Sequence, residues 1–177
     1  AGFRAAEIVK QLLNFSRKTR QEFKPIGAVT AVNDSLKFLR STLPSSVDIQ
    51  KVFPNDEVMI VGDAVQINQM MMNLCINSSQ ALEETGGTIT VAMEKIYLDE
   101  EKAKHFNGIT PGRYLRITVS DTGPGIPGDI VGRLFDPYFT TKPVGDGAGM
   151  GLAVVHGIAS AHNGTVTAES RPEQGAV

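Results

Sequence analysis

The chain has one cysteine, little net charge and no long apolar run, and each shortage excludes something. Cys75 is the only thiol in 177 residues, so no internal disulfide can form. The expected compartment is reducing, hence cytoplasmic. Cys75 follows Leu74 in a helical pattern near Met71 and Ser78, and reads as a small core residue, not a reactive thiol. A net charge of −2 gives no long-range attraction to nucleic acid, which is not expected as a partner. No apolar run reaches the roughly 18 residues of a membrane span, so no membrane contact is expected from this stretch. The chain opens on Ala1-Gly2-Phe3-Arg4, with no methionine and no signal-peptide pattern. It reads as a piece of a longer protein, whose anchor, if it has one, lies in parts not shown.

What is present is ordinary for a globular chain: 41% hydrophobic and 20% charged residues, enough for one domain with a full core and an appendage. Residues 1–20 predict one long helix, because Ala1, Ala5, Ile8, Leu12 and Phe15 follow heptad spacing. Val9 and Leu13 widen that stripe toward a helical bundle. The polar link Arg20-Gln21-Glu22-Phe23-Lys24-Pro25 separates it from the remainder, so domains are expected at 1–24 and 25–177. A second helix is expected over 28–42, where Val29, Val32, Leu36 and Leu39 share a face and Pro44 follows. Short strands are expected at 47–53 and 58–61 around Pro54-Asn55-Asp56. Asp63 and Gln66 have capping-box spacing for a helix running to about residue 84, before Gly86-Gly87. Strands follow at 88–97 and 114–120, with 98–112 read as an irregular loop. A helix over 151–162 and a last strand at 165–170 complete the pattern. Helices mixed with hairpin-like strands, without strict βαβ alternation, predict an α+β, two-layer sandwich with helices on one face of a mixed sheet.

Chemistry concentrates in four short motifs. On the helix that starts at Asp63, Ile67, Met70, Met71, Leu74, Ser78, Ala81 and Leu82 form the apolar set. Gln66, Gln69, Asn73, Asn77 and Gln80 form the opposite stripe. Asn73 and Asn77 are four apart, so their amides stack on one face. Amide oxygens are hard, neutral ligands suited to Mg2+ beside an already anionic phosphate; the same stripe also reads as a solvated face. Asp121-Thr122-Gly123-Pro124-Gly125 ends a strand in a glycine turn, where a flat ring can approach backbone. A carboxylate there can accept from the exocyclic amine of adenine, whereas guanine offers a carbonyl; the mismatch costs about 1–3 kcal/mol. As a lone motif it is also simply a turn. Gly147, Gly149 and Gly151 lead into a helix, which suits a polyphosphate or a hinge.

Taken in order, Asn73-Leu74-Cys75-Ile76-Asn77, residues 121–125, Phe135-Asp136-Pro137-Tyr138-Phe139 and Gly147-Ala148-Gly149-Met150-Gly151-Leu152 closely resemble the boxes of the catalytic ATP-binding domain of sensor histidine kinases. That domain has the Bergerat-type fold shared with gyrase-type ATPases. The resemblance covers about residues 25–175. It implies that residues 1–24 hold the second helix of a dimerisation hairpin and its linker. It implies ATP and Mg2+ as cofactors, with Asn77 and Asn73 on the metal and Asp121 on the adenine amine. Gln80, Ala81, Gly123, Gly125, Ile126, Lys142, Gly147, Gly149, Met150, Gly151 and Leu152 would complete the nucleotide site, and residues 128–150 would form a lid. Asn73, Asn77 and Lys142 would carry catalysis, although Lys142 also reads as a solvated lid lysine. Implied partners are a phosphoacceptor hairpin on the same or a partner subunit, a response regulator, and a second copy in a homodimer.

Two departures stand out. The family's acceptor histidine precedes an acidic residue, but His105 precedes Phe106, His156 precedes Gly157 and His162 precedes Asn163; the acceptor is therefore expected upstream, and the fragment is expected not to phosphorylate itself. The chain closes on Gly175-Ala176-Val177, where many relatives carry a threonine and one further strand. Competing readings are a gyrase-type ATPase clamp, a nucleotide-sensing scaffold and a serine-directed kinase. The clamp needs a glutamate four residues before the metal asparagine, where this chain has Asn73.

Overall fold

The structure, a computed structural model, describes residues 22–141, 149–170 and 175–177. The helix expected over 1–20 and the site candidates Lys142 and Gly147 lie outside the described residues. Among the described residues, five strands and five helices run in the order β1 (Lys24–Gly27), α1 (Ala28–Thr42), β2 (Val47–Val52), β3 (Met59–Gly62), α2 (Ala64–Ala81), β4 (Gly87–Leu98), α3 (Glu100–Ala103), β5 (Gly112–Asp121), α4 (Gly128–Val131) and α5 (Gly151–Ala161). One sheet has the order β2-β4-β5, its first pair parallel and its second antiparallel. This is the mixed sheet expected. β1 and β3 pair antiparallel as a separate ribbon, so the strands flanking Pro54-Asn55-Asp56 do not pair with each other.

The core follows from periodicity. On α1, Ala28, Val32, Leu36 and Leu39 are buried along one face. On β4, Ile89, Val91 and Met93 alternate inward and meet that face together with Ile67, Met71, Cys75 and Leu82. Each fully buried leucine contributes about 1.5–3 kcal/mol. Burial pushes the Cys75 thiol up to about 12, so this sulfur is an inert core group, as its spacing suggested.

Helix α1 begins at Gly27, which has no side chain to cap it. Glu57 does so from the turn between β2 and β3: its carboxylate accepts from the amides of Val29 (2.8 Å) and Thr30 (3.2 Å) and from the Thr30 hydroxyl (2.5 Å). The Thr30 hydroxyl bond, followed by the backbone amides, outweighs partial desolvation and holds this carboxyl below its ordinary range.

Several expectations need correction. The half capping box at Asp63 is real on one side: its carboxylate accepts from the amides of Val65 (2.9 Å) and Gln66 (3.4 Å). The reciprocal bond from Gln66 is absent; the Asp63 amide donates instead to His162 Nε2 at 3.1 Å, and Gln66 Oε1 is buried without a partner. Lys24 and Pro25 belong to β1, not to a link; a two-stranded ribbon tolerates Pro25 because a strand paired on one side can spare an amide donor. The loop 98–112 contains α3, capped by Asp99, whose carboxylate accepts from the Lys102 amide at 2.8 Å. Residues 165–169 form no regular strand: Ser170 bridges Ala176, and Glu169 exchanges two backbone bonds with Val177 (2.9 and 2.8 Å).

Candidate functional site

Helix α2 carries the site along one stripe. Asn73, Asn77 and Ala81 are spaced four residues apart, which sets them on one face over roughly 12 Å of axis. Ala81 was assigned to the apolar set, but it is exposed. It belongs to the asparagine stripe because it lies one turn beyond Asn77 on α2. Opposite the first half of the stripe lies the start of α5. A Cβ built on Gly151 would sit 3.7 Å from Asn77 Nδ2 and 3.8 Å from Asn73 Cγ. Opposite the second half lies Gly123, buried, 3.4 Å from the Ala81 Cβ by the same measure. One helix face thus touches both glycine motifs.

At the Ala81 end, β5 delivers Asp121, whose position is set by pairing with Ile89 of β4. Asp121 Oδ1 accepts from the amides of Gly123 (3.0 Å) and Ala176 (3.3 Å). Among the described residues both bonds end on Oδ1, so Oδ2 is left with acceptor capacity. Beside this carboxylate, Gln80, Ala81, Thr122, Gly123 and Pro124 line an open groove of about 700 Å³ together with Glu83, Glu84, Thr85 and Gly86; Asp121 is not part of its lining. Gly125 turns the chain at a φ of 80°, and the amide of half-buried Ile126 donates to Ser170 Oγ at 2.6 Å.

At the Asn73 end, α5 starts after Met150 with no side-chain cap, so its first amides have no side-chain acceptor at the N-cap. Half-buried Leu152 packs in that first turn. Gly149 has a φ of 64°, and a Cβ there would lie 2.5 Å from the Tyr138 carbonyl carbon and 2.7 Å from Phe139 O. Only glycine lets the two segments approach so closely. The aromatic motif lies partly on its own domain: the Phe135 ring is 6.2 Å from that of His156 on α5, tilted by 38°. Arg133 Cζ sits 4.7 Å from the Phe139 ring centre. Tyr138 is 76% exposed, in a left-handed backbone conformation.

The structure therefore brings together Asn73, Asn77, Gly149, Met150, Gly151 and Leu152 at one end, and Gln80, Ala81, Asp121, Gly123, Gly125 and Ile126 at the other. No group of three or more His, Cys, Asp or Glu side chains capable of holding a metal occurs among the described residues. An ion here would rest on the Asn73 and Asn77 amides and on its ligand's phosphates, a hard and neutral donor set compatible with Mg2+. No helix among the described residues is long and apolar enough to cross a membrane. Sequence reasoning missed Ser170 and the bonding role of His162; each meets its partner across more than forty positions, and no local pattern marks either.

Comparison with known proteins places this geometry. A family profile described as "Histidine kinase-, DNA gyrase B-, and HSP90-like ATPase" matches residues 62–177. The chain is 37% identical over 174 residues to the sensor histidine kinase TmoS of Ectopseudomonas mendocina, covering 98% of this chain and 17% of that protein. It is 35% identical over 172 residues to the sensor kinase CckA of Brucella abortus (strain 2308), covering 97% and 18%. The chain thus spans less than a fifth of the length of either relative. In fold it is similar to full-length ShkA in complex with AMPPNP, with a TM-score of 0.73 at 23% identity, covering 96% of this chain and 34% of that one. It is also similar to the mycobacterial sensor histidine kinase MprB, with a TM-score of 0.68 at 20% identity, covering 88% and 93%. A profile match over more than half its length, with these relatives at 35–37% identity, shows that the chain belongs to the histidine kinase-, DNA gyrase B- and HSP90-like ATPase family.

Proposed function

We propose that this chain is the ATP-binding kinase portion of a cytoplasmic sensor histidine kinase region. It would transfer the γ-phosphoryl group of ATP to a histidine on an upstream hairpin, for relay to a response regulator. The observation that carries this reading is the single stripe of α2, which meets Gly151 at Asn73 and Asn77 and Gly123 at Ala81. In this reading Asp121 accepts from the adenine amine, and Gly123 gives the ring room against Ala81. Asn77, with Asn73 beside it, holds Mg2+, which when bound neutralises phosphate charge. The first amides of α5, with Gly149, Met150 and Leu152, cradle the phosphates, and Lys142 and Gly147 cover them from the lid. Residues 1–24 supply one hairpin helix and its linker, and the hairpin pairs two copies into a dimer. ShkA, similar in fold, was solved with an ATP analogue, and the ThkA kinase of similar fold with a response regulator. An ATPase clamp is the weaker reading, because Asn73 carries an amide and cannot activate water.

The test uses the chain 1–177. It should bind Mg2+-ATP more tightly than Mg2+-GTP by calorimetry, and Asn77→Ala should weaken binding more with Mg2+ than without. With γ-labelled ATP it should not label itself, since none of its three histidines precedes an acidic residue and His162 is engaged through both ring nitrogens. A hairpin fragment bearing the upstream histidine should then take up an acid-labile, base-stable label. Equal affinity for both nucleotides would remove the adenine assignment, and strong self-labelling would refute the upstream acceptor.

A further inference from the structure

Resting on that reading of the pocket, we propose that Ser170 is a positioning residue for the adenine-recognising carboxylate. It reaches Asp121 through two segments at once. Its hydroxyl accepts from the Ile126 amide at 2.6 Å and donates to the Gly175 carbonyl at 2.9 Å. Gly175 leads into Ala176, which accepts from the Asp121 amide at 2.9 Å and donates to Asp121 Oδ1 at 3.3 Å. The turn 121–126 is therefore tied at its first residue by Ala176 and at its last by Ser170. Both ties run into one closed ring of hydrogen bonds, with Ser170 as its only side-chain hydroxyl.

The ring matters because the turn it closes contains Gly123 and Gly125, which have wide backbone freedom. Left open, such a turn lets the carboxylate sample several directions, and a ligand must then supply the ordering free energy on binding. Gly175 sits so close to the Asp121 carbonyl, at a φ of 81°, that no Cβ fits between them. The close approach of Gly175 is one of backbone on backbone, and it sets the Ala176 amide where it donates to the Asp121 carboxylate. Ser170 is the side chain that fixes the height of Gly175 against the turn.

The experiment compares wild type, Ser170→Ala and Ser170→Thr in the full 177-residue chain, measuring affinity for ATP and GTP and amide exchange without nucleotide. Ser170→Ala should weaken ATP binding about fivefold to tenfold, the usual worth of one or two lost hydrogen bonds. It should lower the ATP-to-GTP preference by a similar factor and speed exchange at the Ile126 amide. The extra affinity conferred by Mg2+ should be unchanged. Ser170→Thr, which keeps the hydroxyl, should restore the preference. A loss shared equally by both nucleotides would mark Ser170 as merely structural and overturn the proposal, as would unaltered exchange at Ile126. A wild-type chain that binds ATP, with Ser170→Ala equal to it, sinks the role of Ser170 alone. A wild type that binds neither nucleotide removes the assigned function and this role with it.

Discussion

The turn at 121–126 meets the α2 stripe at Ala81, whereas the turn at 135–139 lies against Gly149 and α5, and the two are joined to their neighbours by different kinds of contact. The first is bonded to Ala176 and Ser170 at 2.6–3.3 Å, and Thr122 exchanges a further pair of bonds with Thr88 (3.0 and 3.2 Å). The second has backbone bonds within itself, from the Asp136 amide to Arg133 (3.0 Å) and from the Phe139 amide to Asp136 (3.2 Å), but it meets α5 and Gly149 through the tilted ring pair of Phe135 and His156 and the close seat of Gly149 under Tyr138 and Phe139. Directional bonds fix an acceptor's direction; ring contacts and close packing tolerate sliding. Such a division suits a nucleotide site. Base selection gains from an acceptor held still before the ligand arrives, whereas a cover over the phosphates has to open for exchange and release.

Breaking the rigid end should have the largest effect. Asp121→Asn keeps an oxygen able to accept from Gly123 and Ala176, yet it removes the charge and turns a donor toward the adenine amine. ATP affinity is expected to fall about 10- to 100-fold, the range for a mispaired buried polar group, with the unfolding midpoint little altered. Calorimetry and thermal unfolding check this, and a loss below threefold would show that Asp121 does not read the base.

Breaking the sliding end should cost less. Gly149→Ala forces alanine into a left-handed backbone against Tyr138 and Phe139, at about 1–2 kcal/mol. If that strain is relieved by displacing the aromatic turn, ATP binding should weaken roughly fivefold to thirtyfold while the ATP-to-GTP preference stays intact. A change in that preference would mean that the two ends are coupled, which the comparison denies.

The smallest effect on binding should come from Glu57, which caps α1 away from both ends. Its carboxyl is held below the ordinary value of 4.5, so its stabilisation is complete above that pH and disappears as the pH falls through the lowered value in the folded chain. Glu57→Gln should lower the unfolding midpoint by a few degrees at pH 7, and its stability should converge with wild type in acid below pH 4.5. Nucleotide affinity should not move; a parallel loss of affinity would show that α1 takes part in the site.

Much of the fold was legible because it is local. The predicted helix over 28–42 matches α1 to the residue, since a stripe of apolar residues followed by Leu43-Pro44 carries its own stop. Asn73 and Asn77 were legible as a pair for the same reason: a period of 3.6 fixes which side chains share a face. Ala81 was legible only ambiguously, in the apolar set and in the nucleotide site at once, because alanine fits either face; it is exposed, one turn beyond Asn77. Residues 165–170 read as a strand, yet a strand needs a partner, and among the described residues only Glu169 and Ser170 meet one.

The sequence by itself determined the helix faces, the inert environment of Cys75 and the order of the four motifs, all of which depend on spacing along one chain. Tertiary structure alone decided who completes each local pattern. Glu57 caps a helix that begins with glycine, His162 replaces Gln66 at the Asp63 amide, and Ser170 closes the turn behind Asp121. Each of these bonds joins residues 27 to 99 positions apart. Hydrogen-bond donors and acceptors are common enough in any sequence that only the packed fold selects which of them meet.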